Sequence, residues 1–236
     1  MKLALSIVIP TLNEEKYLPS LLNSIQNQTK LPKEIIIADA KSSDQTRKIA
    51  RDFKCKLVDG GLPSVARNNG AKAAKEKLIL FLDADILLSR SFLEVALLEM
   101  RQKKLDVASC FGIPLSSARI DKIIFRSSAR VIKLAEKISP RASTPCLFIK
   151  KSLHQQIDGF DESVVHAEDH DYVKRAAKIG KFAYLKGVKV LISTRRFSKE
   201  GRLKLALKYA ISEMHQTFVG PIRKDIFKYE FGNYEE

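Results

Sequence analysis

Four short, near-continuous apolar runs punctuate the first third of the chain: Leu3–Ile9, Glu34–Ala38, Cys55–Val58 and Leu78–Leu82. A strand apolar at consecutive positions has both faces buried, and a sheet covered by helices on each side provides that environment. The intervening segments Glu14–Asn27, Asp44–Phe53 and Pro63–Lys75 carry helix-like patterns, and the last opens with Pro, which a first helical turn tolerates. This alternation predicts an α/β chain with a doubly wound, mostly parallel sheet flanked by helices, holding ligands at the carboxyl ends of its strands. After Asp85 the rhythm changes. A helix is expected over Ser91–Lys103, a strand near Val107–Phe111, a long helix from about Ser117 to Ile138 and a strand at Cys146–Ile149. A helix over Glu168–Ile179, stopped by Gly180, and a last strand at Val188–Ser193 complete the pattern. No repeat, low-complexity tract or linker interrupts it, so the expected organisation is one domain over residues 1–198 and a C-terminal helical tail over 199–236.

The charge balance narrows the partners. Lys and Arg number 42 against 27 Asp and Glu, a formal net charge of +15, which favours a polyanion: nucleic acid, an anionic membrane surface or a phosphorylated ligand. No RNP, zinc-finger or helix-turn-helix signature accompanies the charge, so nucleic acid is not the expected partner. The cysteines Cys55, Cys110 and Cys146 form no CxxC and have no His at ligand spacing, which fits a reducing compartment better than a disulfide framework or zinc site. The opening apolar run is too short for a signal peptide and runs into Pro-Thr-Leu-Asn-Glu-Glu, so it reads as a first strand. No stretch approaches the roughly 20 apolar residues of a membrane span. The expected location is the cytoplasm, either free or peripheral on the inner face of the membrane.

Polar residues gather where strands end. The first run leads into Pro10, Thr11, Asn13, Glu14 and Glu15; the second ends at Asp39, before Ser42-Ser43-Asp44, a fitting N-cap; the fourth ends in Asp83-Ala84-Asp85. Two carboxylates one residue apart on a turn can face a hard divalent cation and its bound phosphates. A lone Asp after a strand is often a turn former, but polar ends on three strands of one α/β half point to a site. A nucleotidyltransferase or Rossmann dehydrogenase would carry a Gly-rich loop after the first strand, where Pro-Thr-Leu-Asn-Glu stands. Besides the nucleotidyltransferase, a non-catalytic polyanion-binding protein remains an alternative.

The stretches SIVIPTLNEE, IIIADAKSSDQT, ARNNGAKAAKEKLILFLDADI, IDGFDES and AEDHDYVKRAAKIG, in this order, resemble the family 2 glycosyltransferases, which have the GT-A nucleotide-diphosphosugar fold. The resemblance covers about residues 4 to 197. It implies a nucleotide-binding half over 1–85 and an acceptor half over 86–198, a nucleotide-diphosphate sugar as donor, UDP favoured over GDP, and Mg²⁺ or Mn²⁺ as cofactor. Pro10, Thr11 and Glu14 would line the nucleoside pocket, with Asn13 beside them, and Asp39 would hydrogen-bond the base. Arg67 would approach the base or diphosphate. Asp83 would hold the ribose or metal, and Asp85 would ligate the metal. Glu168 and Asp169 match the family's late acidic motif, with Asp169 as general base for an inverting transfer. The same two carboxylates also complement the N-terminal dipole of the following helix. The chain departs from the pattern twice. Lys41 stands where the family usually has Gly, and Ser193-Thr194-Arg195-Arg196-Phe197 stands where it often has a metal-site His. Arg195 and Arg196 could neutralise a diphosphate directly.

The remaining features bear on the acceptor. The four histidines, His154, His166, His170 and His215, read as ordinary exposed side chains. From Arg119 to Ile138 six cations, Arg119, Lys122, Arg126, Arg130, Lys133 and Lys137, step by three or four beside an apolar row that includes Ile120, Ile123 and Ile124. Such a helix suits an anionic membrane surface or a lipid-linked acceptor. A packed helix with a basic solvent face explains it as well. The tail repeats the basic and apolar pattern, and docking on the domain, pairing two protomers as a homodimer and touching lipid all fit it.

Overall fold

The computed structural model describes residues 2–135 and 145–223. In them the strands β1 (Leu3–Thr11), β2 (Pro32–Asp39), β3 (Lys56–Asp59), β4 (Leu78–Leu82), β5 (Ile86–Leu87), β6 (Val107–Leu115), β7 (Cys146–Lys150) and β8 (Phe182–Ser193) form one sheet in the order β3-β2-β1-β4-β7-β6-β8-β5. The strands β3, β2, β1 and β4 run parallel, as do β6 and β8, whereas β7 is antiparallel to both β4 and β6. The helices are α1 (Leu18–Gln26), α2 (Thr46–Asp52), α3 (Pro63–Ala73), α4 (Phe92–Lys103), α5 (Arg119–Ala135), α6 (Lys151–Gln156), α7 (Glu168–Ala177), α8 (Arg195–Glu200) and α9 (Arg202–Phe218). The α/β class and the mostly parallel, helix-flanked sheet expected from the sequence are what the chain forms. The C-terminal end of the long basic segment, including Lys137 and Ile138, lies outside the described residues, as does the chain beyond Arg223.

The two faces of the sheet explain the unbroken apolar runs. Leu5, Ile7 and Ile9 of β1 pack with Leu18, Leu21 and Leu22 of α1 and with Leu80 and Leu82 of β4. Val8, on the other face, joins Ile36, Ile79, Phe81 and Tyr172. Successive strand residues point to opposite faces, so a strand with helices over both must be apolar throughout. Each fully buried Ile or Leu contributes about 1.5–3 kcal/mol relative to exposure.

The first helix begins at Leu18, four residues later than expected. The preceding residues spend their backbone donors elsewhere: the N–H groups of Asn13, Glu14 and Glu15 donate to Ser42 Oγ, Thr46 Oγ1 and Asp44 Oδ2 at 2.9, 2.8 and 3.0 Å. The same interlock explains the departure at Lys41. That residue has φ +61°, the left-handed conformation that glycine adopts freely and that costs other residues about 1–2 kcal/mol.

Helix α3 lies directly on β1 because Gly70 has no side chain. A Cβ at Gly70 would stand 2.2 Å from Val8 Cγ1. Gly70→Ala should therefore destabilise the protein by about 1–3 kcal/mol. Val8→Ala removes the opposing methyls, so the double variant should lose less than the two single losses added. Urea unfolding of both single variants and the double variant checks this; simple additivity would contradict the contact.

Candidate active site

The loops after β1 and β2 are locked to each other at the carboxyl edge of the sheet. Thr11 Oγ1 donates to Asp39 Oδ1 at 3.1 Å, and Ser42 Oγ donates to the same oxygen at 2.6 Å. Asn13 Oδ1 accepts from the Ser43 N–H at 3.0 Å. Asp44 Oδ1 accepts from the Thr46 N–H, but the residue at the N-cap of α2 is Gln45, one position after the stretch expected to cap it. Pro10 is the last β1 position with a buried Ala38 partner, and Thr11 pairs with Asp39. Pro10, Thr11, Asn13 and Asp39 are thus brought together.

A second group centres on Arg67. Its side chain is buried, at 7% exposed, and its two terminal nitrogens reach Glu168 Oε1 at 2.5 Å and Asp83 Oδ1 at 2.9 Å. Its guanidinium also lies 5.4 Å from the centre of the Phe160 ring. Burial works against the charge, but Glu168, Asp83 and Asp169 outweigh it and hold the Arg67 pKa above its usual value. Burial raises Glu168 too, and Arg67 reverses that, so Glu168 stays below the ordinary glutamate value. At Asp83 burial wins: its pKa is raised, with Arg67 opposing, Asp85 adding to the rise and Arg196 opposing again. The side chain is still 37% exposed, and water limits that rise.

Arg195 anchors the other side of the turn. It holds Glu14 through two hydrogen bonds of 2.8 and 2.7 Å, faces Asp85 Oδ2 at 3.0 Å and stacks over Tyr17 at 4.5 Å. The Asp85 carbonyl accepts from the Ser193 N–H at 3.0 Å, tying the end of β8 to the turn. Burial raises the Glu14 pKa despite the Arg195 bond. Arg196 is the next residue of α8. Tyr17, Ser42 and Phe160 were not picked out from the sequence as site residues. Tyr17 lies on the NEEKY turn, three positions after Glu14, but only the return of residue 195 gives that spacing a meaning.

Helix α7 opens on the late acidic motif. Ala167, immediately before it, has φ +53°, a left-handed conformation that costs a residue with a Cβ about 1–3 kcal/mol. Glu168, Asp169 and Asp171 fill the first turn, and Asp169 Oδ1 accepts from the His170 N–H at 2.9 Å. The histidines correct an expectation. His154 and His166 are buried rather than exposed, and the His154 ring meets Tyr172 Oη at 2.6 Å. Burial, aided by Arg175 and Lys151, pushes His154 down to about 4. His170 is also largely covered. Tertiary packing, not local sequence, covers these rings.

The Asp83–Asp85 turn offers a divalent cation two hard carboxylate donors. Arg67 takes Oδ1 of Asp83 and Arg195 faces Oδ2 of Asp85, leaving Asp83 Oδ2 and Asp85 Oδ1 outside these pairs. Among the described residues no group of three or more His, Cys, Asp or Glu gathers as a metal cluster. The donor set fits a cation held by two side chains and otherwise by phosphate or water.

Known proteins resemble this chain in sequence and in fold. The model of the Glycosyl transferase family 2 matches residues 6–157. The poly(ribitol-phosphate) beta-N-acetylglucosaminyltransferase TarS of Staphylococcus aureus is 27% identical over 183 residues, covering 72% of this chain and 32% of the relative. The glycosyltransferase AglE of Haloferax volcanii is 25% identical over 190 residues, covering 74% of this chain and 62% of the relative. The chain thus spans about a third of the length of the first relative and under two thirds of the second. Among solved structures, Staphylococcus aureus TarS 1–349 in complex with UDP superposes with a TM-score of 0.65 at 22% identity, covering 93% of this chain and 73% of that one. The mannosyltransferase PcManGT of Pyrobaculum calidifontis, in complex with GDP-Man and Mn²⁺, gives 0.68 at 20% identity, covering 90% and 65%. The family model spans the strand ends that carry Thr11, Asp39, Asp83 and Asp85, on well over half of the chain, and the chain belongs to glycosyl transferase family 2.

Proposed function

We propose that this chain is an inverting, hexosyltransferase-like glycosyltransferase that moves a sugar from a nucleotide-diphosphate sugar, UDP favoured over GDP, to a lipid-linked or membrane-proximal acceptor. One observation carries the reading. Arg67 binds Asp83 and Glu168 at once, so the donor-side turn and the late acidic motif converge on a single guanidinium. Buried ion pairs contribute little net stability, because desolvation offsets their attraction. A cluster of them at the carboxyl edge of a sheet is better accounted for as a site.

In this reading Pro10, Thr11, Asn13, Glu14 and Asp39 form the nucleoside pocket over residues 1–85. Asp85, with Asp83, would hold Mg²⁺ or Mn²⁺, which would stabilise the leaving diphosphate as its charge develops. Arg195 and Arg196 neutralise the diphosphate, a role suited to planar guanidinium forks. Arg195, which pairs with Glu14 and Asp85, would exchange those carboxylates for phosphate oxygens when the donor binds. Asp169, at the start of α7, takes the proton from the acceptor hydroxyl as it attacks the anomeric carbon. Glu168 stays charged against Arg67 and orients that end of the site. The acceptor half over 86–198 and the tail from residue 199 supply the acceptor's surroundings. One relative acts on poly(ribitol-phosphate), which favours a large acceptor over a small soluble one.

Two variants separate the roles. Asp85→Ala should abolish the Mn²⁺-dependent part of UDP-sugar binding in calorimetric titration while leaving the unfolding transition in place; wild-type affinity in Mn²⁺ would remove Asp85 from the metal site. Asp169→Asn keeps the shape and the hydrogen bond to the His170 N–H but removes the proton acceptor. Its kcat should fall by roughly 10² or more with donor binding nearly unchanged. Unimpaired turnover would reduce Asp169 to a helix-terminus charge.

A further inference from the structure

Helix α9 is turned inside out. Leu207, Ile211, Met214 and Phe218 recur at steps of four, three and four, so they form one stripe along the helix. All four are exposed: Leu207 by 60%, Met214 by 62% and Phe218 by 82%. Tyr209 and Val219 add further exposed apolar surface. The side facing the protein is the more polar one. There Leu205 and Ser212 are buried, Lys208 meets Glu200 at 3.3 Å and His215 Nδ1 lies 3.1 Å from the Gly220 carbonyl. A soluble surface helix normally shows the reverse arrangement. A continuous exposed apolar stripe marks a surface that something covers.

The neighbouring helix indicates what covers it. Arg202, the first residue of α9, makes hydrogen bonds of 2.6 and 3.2 Å to the buried Asp121 in the first turn of α5. Phe125 of α5 packs edge-on against Phe197 of α8. Helices α5 and α9 therefore begin side by side. On α5, Arg119, Lys122, Arg126, Arg130 and Lys133 are exposed, and Ile120 and Ile123 are exposed beside them. The acid among the described residues of that helix is Asp121, whose charge is taken up by Arg202. The exposed surface of this pair of helices is thus apolar and basic.

We infer that α9 and the outer face of α5 form a docking surface for an anionic lipid bilayer, with the Leu207–Phe218 stripe sunk into the headgroup boundary and the α5 cations over the phosphates. A second copy of the chain fits less well, because it would bring the same cations and another net charge of +15 against them. The stripe spans about 16 Å, and no described helix is long and apolar enough to cross a membrane, so the contact lies along the surface. The inference rests on the membrane-proximal acceptor proposed above only for its purpose; the surface stands without it.

The test is co-sedimentation of the whole chain with vesicles of phosphatidylcholine alone or with 30% phosphatidylserine added, at low and high salt. Wild type should bind the anionic vesicles, bind neutral ones far less and be released by salt. Leu207→Ser with Met214→Ser should lose binding at least tenfold at low salt. Arg126, Arg130 and Lys133 changed to Glu should lose it by roughly 10² or more. All five positions are exposed, and an unchanged urea unfolding transition in each variant confirms an intact fold without any nucleotide sugar, so this result is read apart from the proposed reaction. Wild type ignoring anionic vesicles, equal binding to neutral ones, or variants binding like wild type would overturn the inference. So would a concentration-dependent dimer in sedimentation equilibrium that the serine variant abolishes.

Discussion

A guanidinium taken out of water must be surrounded by acceptors, and the arrangement of this protein's site follows from meeting that demand at Arg67. The residue sits on α3, a helix drawn against β1 by Gly70, and from there its two terminal nitrogens span the gap between the β4 turn and the start of α7. Asp83 follows β4 and Glu168 opens α7, and each would be costly to bury alone. Arg195 does the same work on the other side of the turn, drawing the end of β8 towards Glu14 and Asp85. Two arginines thus hold the carboxylates of three chain segments in one place. In the proposed reaction Asp83 and Asp85 serve a cation and Arg195 a diphosphate, while Asp169, beside Glu168, takes the proton.

How much of this is legible in sequence depends on how local its causes are. The strands β1 to β4 carry their own signal, since burial on both faces leaves unbroken apolar runs. Their polar ends follow directly, because a strand's carboxyl end is where the chain leaves the core; Thr11, Asp39, Asp83 and Asp85 are legible for that reason. The second half hides its architecture. Strand β7 runs antiparallel between β4 and β6, a placement that no periodicity encodes. Strand β5 has two residues, and α6 and α8 have six each, too few for a period to show. The partnership of Arg195 with Glu14 joins positions 181 residues apart, so the sequence can offer both residues but not their pairing. His154 and His166 are buried by elements distant in sequence, and residue type alone does not reveal that.

The loops after β1 and β2 are interlocked: the Ser42–Thr46 loop satisfies the backbone donors of Asn13, Glu14 and Glu15, and Lys41 just before it has a left-handed backbone. The basic helix α5 and the outward-facing stripe of α9 follow later in the chain, joined to each other through Arg202 and Asp121, with Phe125 of α5 against Phe197 of α8. Ala167, directly before the acidic pair, also has a left-handed backbone. Chemistry proposed at one end and surface attachment inferred at the other are therefore joined through α8, which carries Arg195 and leads straight into α9.

The arginine-braced carboxylates form the proposed donor-diphosphate site. Thermal unfolding of the whole chain against a panel of UDP- and GDP-sugars, each with and without Mn²⁺, tests it most directly, because a ligand that binds only the folded state raises its apparent stability with the logarithm of saturation. At least one nucleotide sugar should raise the transition by several degrees, more in Mn²⁺ than in chelator. No shift with any nucleotide sugar at millimolar concentration, in either condition, would contradict it.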